Sequence, residues 1–150
     1  MIEIRAYTPA DWQAIEEIHD AARLQELTLA GLAEAFLPLA VAAEREDLFG
    51  YELYVAQKDG KTVGFTAFIE EELAWLYVHP EYQRQGIGKA LGEFALGHMT
   101  AKEQAVEVLQ GNEPARCLYR SLGFRETELL HGKMPGNEEF TVSVWQMCRK

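Results

Sequence analysis

The 150-residue chain has little cysteine, little proline and no long apolar run. Its two cysteines, Cys117 and Cys148, lie far apart and form no C-x-x-C pair, which disfavours a disulfide framework. No segment is long and apolar enough to be a transmembrane helix, and the N-terminus lacks the basic-then-apolar order of a secretion signal. We therefore expect a cytoplasmic protein with a single domain, residues 1–150, and no membrane contact.

Basic residues are also scarce, because the formal net charge is −10. No basic stripe is present to neutralise phosphates, which disfavours nucleic-acid binding. Residues 1–50 hold ten acids and three bases, a balance of −7, whereas residues 81–120 hold five of each. The early acidic excess is either a solvated surface or a surface that suits a cationic ligand.

Metal and serine-hydrolase chemistry have no support in the sequence. The four histidines, His19, His79, His98 and His131, show no ligand spacing, and Ser121 lies in no G-x-S-x-G motif. We expect no metal site.

The most informative segment is LAWLYVHPEYQRQGIGKAL, residues 73–91, where an apolar strand leads through a glycine-bearing loop into a helix. Gly86 and Gly88 have no Cβ, so the backbone can approach a ligand closely. The first turn of a helix leaves N–H groups unpaired and carries partial positive charge, which favours an anion. The helix has one apolar stripe, formed by Ile87, Ala90, Leu91 and Phe94.

Two better-known phosphate loops do not fit this segment. A Walker loop requires glycine where Gln83 stands and Ser or Thr where Ala90 stands, and a dinucleotide fingerprint requires a third glycine at Leu91. The six residues QRQGIG, 83–88, instead resemble the Q/R-x-x-G-x-G/A loop of the GNAT N-acetyltransferases. Without further support, a glycine-rich helix start is also ordinary strand-to-helix punctuation.

A second segment, NEPARCLYRSLGF (112–124), resembles the family pattern N-x-x-A-x-x-L-Y-x-x-x-G-F. Asn112 suits a helix N-cap, Pro114 the first turn, and Gly123 the left-handed C-terminal position. Periodicity places Tyr119 on the inward face of this helix, where it is also interpretable as a buried core aromatic.

The resemblance implies a coenzyme A site and a catalytic site. In similar proteins the loop holds the pyrophosphate, the asparagine bonds the pantetheine arm, the tyrosine protonates the departing thiolate, and a backbone N–H of the fourth strand, by position that of Val78, stabilises the oxyanion. The cofactor-binding residues that we expect are Leu76, Tyr77, Val78, Gln83, Arg84, Gln85, Gly86, Ile87, Gly88, Lys89, Asn112 and Arg116.

The expected catalytic residues are Tyr119 as acid and Glu72 as base. Glu72 enters the fourth strand where some similar enzymes place an acidic base, but a solvated charge is the alternative interpretation. His79 is a second candidate for the base, and the alternative is that it merely ends the strand before Pro80.

The predicted fold is α/β, with a mixed, mostly antiparallel sheet of about seven strands flanked by helices. The pattern predicts a strand, two helices, three strands, a helix, a strand, a helix and two final strands, which is the order of the GNAT fold. A second helix is expected from Leu29 to Phe36, a hairpin at Lys58-Asp59-Gly60, and a polar loop at HGKMPGNE, residues 131–138.

The sequence thus predicts an N-acetyltransferase that moves acetyl from acetyl-CoA by direct transfer to a primary amine. The acceptor is expected to be a cationic small molecule or a peptide or protein amine. A non-catalytic acyl-CoA sensor or interaction domain and the transfer of another acyl group are the alternatives. An exposed final strand would also allow a homodimer.

Overall fold

A computed structural model describes all residues from Met1 to Lys150. Seven strands and four α-helices follow one another in the predicted order. The elements are β1 (Ile2–Ala6), α1 (Trp12–Leu29), α2 (Leu39–Arg45), β2 (Glu52–Lys58), β3 (Lys61–Phe68), β4 (Leu73–Val78), α3 (Ile87–His98), β5 (Gln104–Leu109), α4 (Glu113–Ser121), β6 (Arg125–Met134) and β7 (Asn137–Arg149).

The strands form two antiparallel sheets that part between β4 and β5. One sheet has the order β1-β2-β3-β4 and the other the order β5-β7-β6. β4 and β5 pair only where they start, through a parallel bridge between Glu72 and Ala105. The Ala105 N–H donates to the Glu71 carbonyl there at 2.8 Å. The predicted fold class, a mostly antiparallel sheet of seven strands flanked by helices, is confirmed.

The helices cover opposite faces of the first sheet because side chains alternate along its strands. Phe65 and Trp75 point toward α1 and α2, and Phe68 points toward the side covered by α3 and α4. Tyr119 of α4 is part of the second cluster of buried residues. None of the helices is both long and apolar enough to cross a membrane.

The separate helix predicted from Leu29 to Phe36 is wrong, because the first helix already extends to Leu29. α1 continues through Leu29 and ends at Gly31, whose φ of +73° is left-handed. This conformation lets the Leu32 N–H reach the Leu27 carbonyl at 2.8 Å, as in a Schellman helix end. A single 3₁₀ turn and then α2 occupy the segment that follows.

One hairpin prediction is confirmed and one loop prediction is wrong. Asp59 and Gly60 both have positive φ, as a tight turn between β2 and β3 requires. The polar segment 131–138, predicted as a loop, is strand as far as Met134 and strand again from Asn137. Its residues are mostly exposed, so the hydrophobic alternation that reveals a strand is absent there.

Candidate active site

The loop between β4 and α3 presents a continuous run of unpaired backbone donors. None of the six N–H groups from Arg84 to Lys89 donates to an acceptor within the protein. Gly86 is the N-cap of α3 with a φ of +84°, and a Cβ built there would meet no atom within 4 Å. This arrangement fits a pyrophosphate group, because the backbone donors and the helix N-terminus favour bound negative charge.

Several side chains on this loop contact other parts of the protein. The Gln83 amide donates to the Val78 carbonyl at 3.1 Å and to the Gln25 side chain at 2.9 Å. Gln85 accepts a hydrogen bond from Lys58, and Ile87 is buried in the core. The side chains of Gln85 and Ile87 therefore do not face the cavity described next, and their contribution to the loop is the main chain.

A cavity of about 670 Å³ opens where β4 and β5 part, and we call it the split cavity. It brings together residues of the loop, of β4 and of α4 that the sequence analysis selected. Those that line it are Leu76, Tyr77, Val78, Gln83, Arg84, Gly86, Gly88, Lys89, Asn112 and Tyr119.

The edge of β4 contributes backbone donors to the split cavity. The His79 N–H donates to the Val63 carbonyl at 2.9 Å, and alternate residues of an antiparallel pair bond to the same neighbour. The N–H groups of Leu76 and Val78 therefore point away from β3, toward the side that β5 has left. The Val78 N–H, which the family resemblance suggests as the oxyanion donor, is one of these two groups.

α4 places an asparagine and a tyrosine on the opposite wall. The Asn112 side chain accepts from the Ala115 N–H at 3.3 Å, which caps the helix, and donates to the Glu26 carboxylate at 3.1 Å. Tyr119 is only 7% exposed and packs edge-on against Phe124. Burial, and to a smaller extent the Glu26 carboxylate, raises the pKa of the Tyr119 phenol, so the hydroxyl keeps its proton at neutral pH.

A second cavity of about 620 Å³, here the hairpin cavity, lies beside the β6–β7 hairpin. Ala74, Tyr77 and Glu107 line both cavities, so the two meet at these residues. The two cavities are therefore neighbours in the fold. The hairpin cavity has four carboxylates, those of Glu46, Glu72, Glu107 and Glu138, against three cationic side chains, those of Arg23, Arg45 and Lys133.

Glu72 lines the hairpin cavity and not the split cavity. Its carboxylate accepts from the Tyr51 hydroxyl at 3.5 Å. Burial first, and then the neighbouring Glu107 charge, raises the pKa of Glu72. A carboxylate with a raised pKa is a better base near neutral pH than an ordinary one.

Two further predicted residues lie outside both cavities. The Arg116 guanidinium is held by the carboxylates of Glu113 and Glu126 and stacks over the Trp145 ring at 4.6 Å, so it is not directed at a coenzyme in the split cavity. The His79 imidazole accepts from the Glu81 N–H at 3.1 Å and ends the strand.

Sequence reasoning missed two carboxylates that line the split cavity, those of Glu26 and Glu107. Glu26 continues the buried stripe of α1 four residues after Ala22. A charged residue on a buried stripe is the sequence signal that could have identified it. Glu107 lies in a strand where alternation alone assigns it to solvent.

Comparisons with known proteins agree with this geometry. A family model described as an acetyltransferase (GNAT) domain matches residues 49–126. The peptidyl-lysine N-acetyltransferase YiaC of Escherichia coli is 38% identical over 72 residues, which are 47% of this chain and 48% of that protein. An N-alpha-acetyltransferase of Sulfurisphaera tokodaii is 32% identical over 122 residues, covering 66% of this chain and 73% of that protein. The chain thus spans about half the length of the first of these relatives.

Solved structures with similar folds include coenzyme complexes. A GCN5-related N-acetyltransferase from Rhodopseudomonas palustris superposes with a TM-score of 0.76 and 23% identity, covering 99% of this chain and 94% of that one. The PaiA N-acetyltransferase of Thermoplasma acidophilum, solved in complex with coenzyme A, gives 0.73 and 22%, covering 100% and 99%. At these identities the likeness establishes the fold.

Proposed function

Because this chain belongs to the GNAT acetyltransferase family, we propose that it transfers acetyl from acetyl-CoA directly to a primary amine, on a cationic small molecule or a peptide or protein. One observation carries the proposal. The run of unpaired N–H groups from Arg84 to Lys89 opens onto the split cavity, which Tyr119 lines and which shares three lining residues with the hairpin cavity.

The split cavity is the proposed coenzyme site. The loop N–H groups would hold the pyrophosphate, and the Arg84 and Lys89 charges would offset its repulsion from an acidic protein. Asn112 and the backbone of Leu76 and Val78 would bond the pantetheine arm and the thioester oxygen. Bound there, acetyl-CoA supplies an activated carbonyl carbon and a thiolate leaving group.

The hairpin cavity is the proposed acceptor site. A lysine-like amine has a pKa near 10.4, about three units above cellular pH, so its neutral form costs roughly 4 kcal/mol. Glu72, whose pKa is raised, is the proposed base. A second carboxylate, that of Glu107, lines both cavities. The carboxylates would also attract the cationic form of the amine before it loses its proton.

Tyr119 is the proposed acid that protonates the leaving thiolate. For ordinary groups, a phenol near 10 and a thiol near 8.5, this proton transfer is uphill by roughly 2 kcal/mol. Burial raises the pKa of Tyr119, but burial also disfavours the thiolate beside it, so both ends of the transfer shift in the same direction.

A turnover assay tests the proposal. The purified chain would be supplied with acetyl-CoA and, in turn, a polyamine, a peptide with a free N-terminal alanine, and a blocked peptide with an internal lysine. Thiol release together with an acetylated product in the mass spectrum is the expected result for at least one acceptor. Tight binding of coenzyme A with no release on any acceptor would favour a non-catalytic sensor instead.

A further inference from the structure

Two consecutive side chains of α1 reach across the split cavity to its opposite margins. The Gln25 side chain accepts from the Gln83 amide at 2.9 Å, and Gln83 belongs to the loop after β4. The Glu26 carboxylate accepts from the Asn112 amide at 3.1 Å, and Asn112 begins the helix after β5. One turn of helix therefore contacts both sides of the gap.

Each contact is anchored further on both sides. Gln83 also donates to the Val78 carbonyl, at the end of β4, and Asn112 caps α4 through the Ala115 N–H. On α1, the second Glu26 oxygen is paired with the Arg23 guanidinium, and both side chains are 22% exposed. α1 is thus connected by hydrogen bonds both to the loop between β4 and α3 and to the start of α4.

No strand pairing joins the two sheets at this end of the gap, although Leu118 of α4 also packs near Gly88. β4 and β5 pair only at the bridge between Glu72 and Ala105, at the start of both strands, and no ladder connects them beyond it. The width of the split cavity near the loop must then be maintained by elements that lie across the sheets, and α1 is such an element.

We infer that Gln25 and Glu26 are positioning residues that brace the split, so that the loop and the start of α4 are held at the separation that coenzyme A requires. This inference rests on the proposed function. It assigns neither residue a chemical step, since both would act through Gln83 and Asn112.

The test measures coenzyme A affinity by calorimetry for the full chain and its variants. Gln25→Ala removes one exposed hydrogen bond and is expected to weaken binding about threefold. Glu26→Ala takes the carboxylate away from both the Asn112 amide and the Arg23 guanidinium and is expected to weaken binding about tenfold. Glu26→Gln keeps an acceptor for Asn112 and should bind within about twofold of wild type. Gln13→Ala and Glu17→Ala, exposed on the same helix and outside both cavities, are matched controls.

Kinetics separate bracing from general loss of structure. For Gln25→Ala the KM for acetyl-CoA should rise while kcat stays within about twofold of wild type. The reason is that Gln25 takes part in no chemical step, so a variant that has bound the coenzyme should react at the normal rate. Unchanged affinity in both alanine variants, or a Glu26→Gln variant as weak as Glu26→Ala, would overturn the brace. A wild-type chain that binds no coenzyme A would instead overturn the proposed function.

Discussion

Gly88 lies in the wall of the split cavity, and replacing it with valine tests whether that wall faces the coenzyme. A Cβ built on Gly88 would lie 3.4 Å from Cδ2 of Leu118 and 3.8 Å from the nearest carbons of Leu76 and Val78. These are ordinary contacts, so alanine fits. Valine adds two methyl groups about 1.5 Å farther out, and they have no free space except the cavity itself.

This geometry sets the expected changes in coenzyme affinity and in stability. Gly88→Ala should leave coenzyme affinity within about threefold and raise stability by about 0.5 kcal/mol, because glycine in a helix costs conformational entropy. Gly88→Val either crowds Leu118 or fills the cavity. Methyl groups in the cavity would crowd the bound coenzyme, and a crowding cost of about 1–3 kcal/mol would lower coenzyme affinity by about fivefold to about 150-fold. The family's loop pattern accepts either glycine or alanine at the position of Gly88, which agrees with the small effect predicted for Gly88→Ala.

Calorimetry with coenzyme A and thermal denaturation of each variant would measure the two effects separately. Gly97→Val is the matched control, because Gly97 lies on the same helix with no atom within 4 Å of its built Cβ. Its affinity should equal that of wild type. A Gly88→Val variant that binds coenzyme A as tightly as Gly97→Val would refute the assignment of this wall to the coenzyme.

Three further predictions concern single side chains. Tyr119→Phe should lower kcat about tenfold or more with coenzyme affinity retained, and an unchanged kcat would make Tyr119 a core aromatic only. Glu72→Gln should lower kcat/KM about a hundredfold and remove the acidic limb of its pH profile, which a persisting limb would contradict. Arg120 and Arg116 lower the pKa of Glu126 from 4.5 to about 2, so this carboxylate stabilises the fold above pH 4.5 and loses that effect as the pH falls to about 2. The melting-temperature difference between wild type and Glu126→Gln should therefore narrow over that range, and a constant difference would contradict the pairing.

Local sequence signals predicted the fold where a single residue decides the local conformation. Gly123 has the left-handed φ expected after α4, and Asn112 caps that helix as predicted. The prediction of a separate helix from Leu29 to Phe36 failed because the apolar spacing of this segment suits a helix, whereas α1 ends at Leu29 and Gly31 turns the chain. The strand residues within 131–138 were not predicted, because their exposure removes the alternating pattern.

The candidate site was predictable where it is made of backbone and not where it is made of paired charges. The loop from Gln83 to Lys89 is readable because glycine spacing reports main-chain geometry directly. Whether Arg116 faces a phosphate depends on Glu126, ten residues later in sequence, and no local pattern contains that pairing. Glu26 and Glu107 reach the cavity only through tertiary packing of α1 and β5.

The gap between β4 and β5 is itself an argument for a ligand. Neighbouring strands normally pair their N–H and C=O groups, and unpaired edges are a liability. Here the strands pair at Glu72 and Ala105 and then part, although both continue, which leaves the N–H groups of Leu76 and Val78 facing a cavity. A chain with nothing to bind there would gain stability by extending the ladder. An extended ligand with amide groups of its own, such as the pantetheine arm, would restore the missing hydrogen bonds, so the interrupted sheet and the proposed coenzyme have one physical explanation.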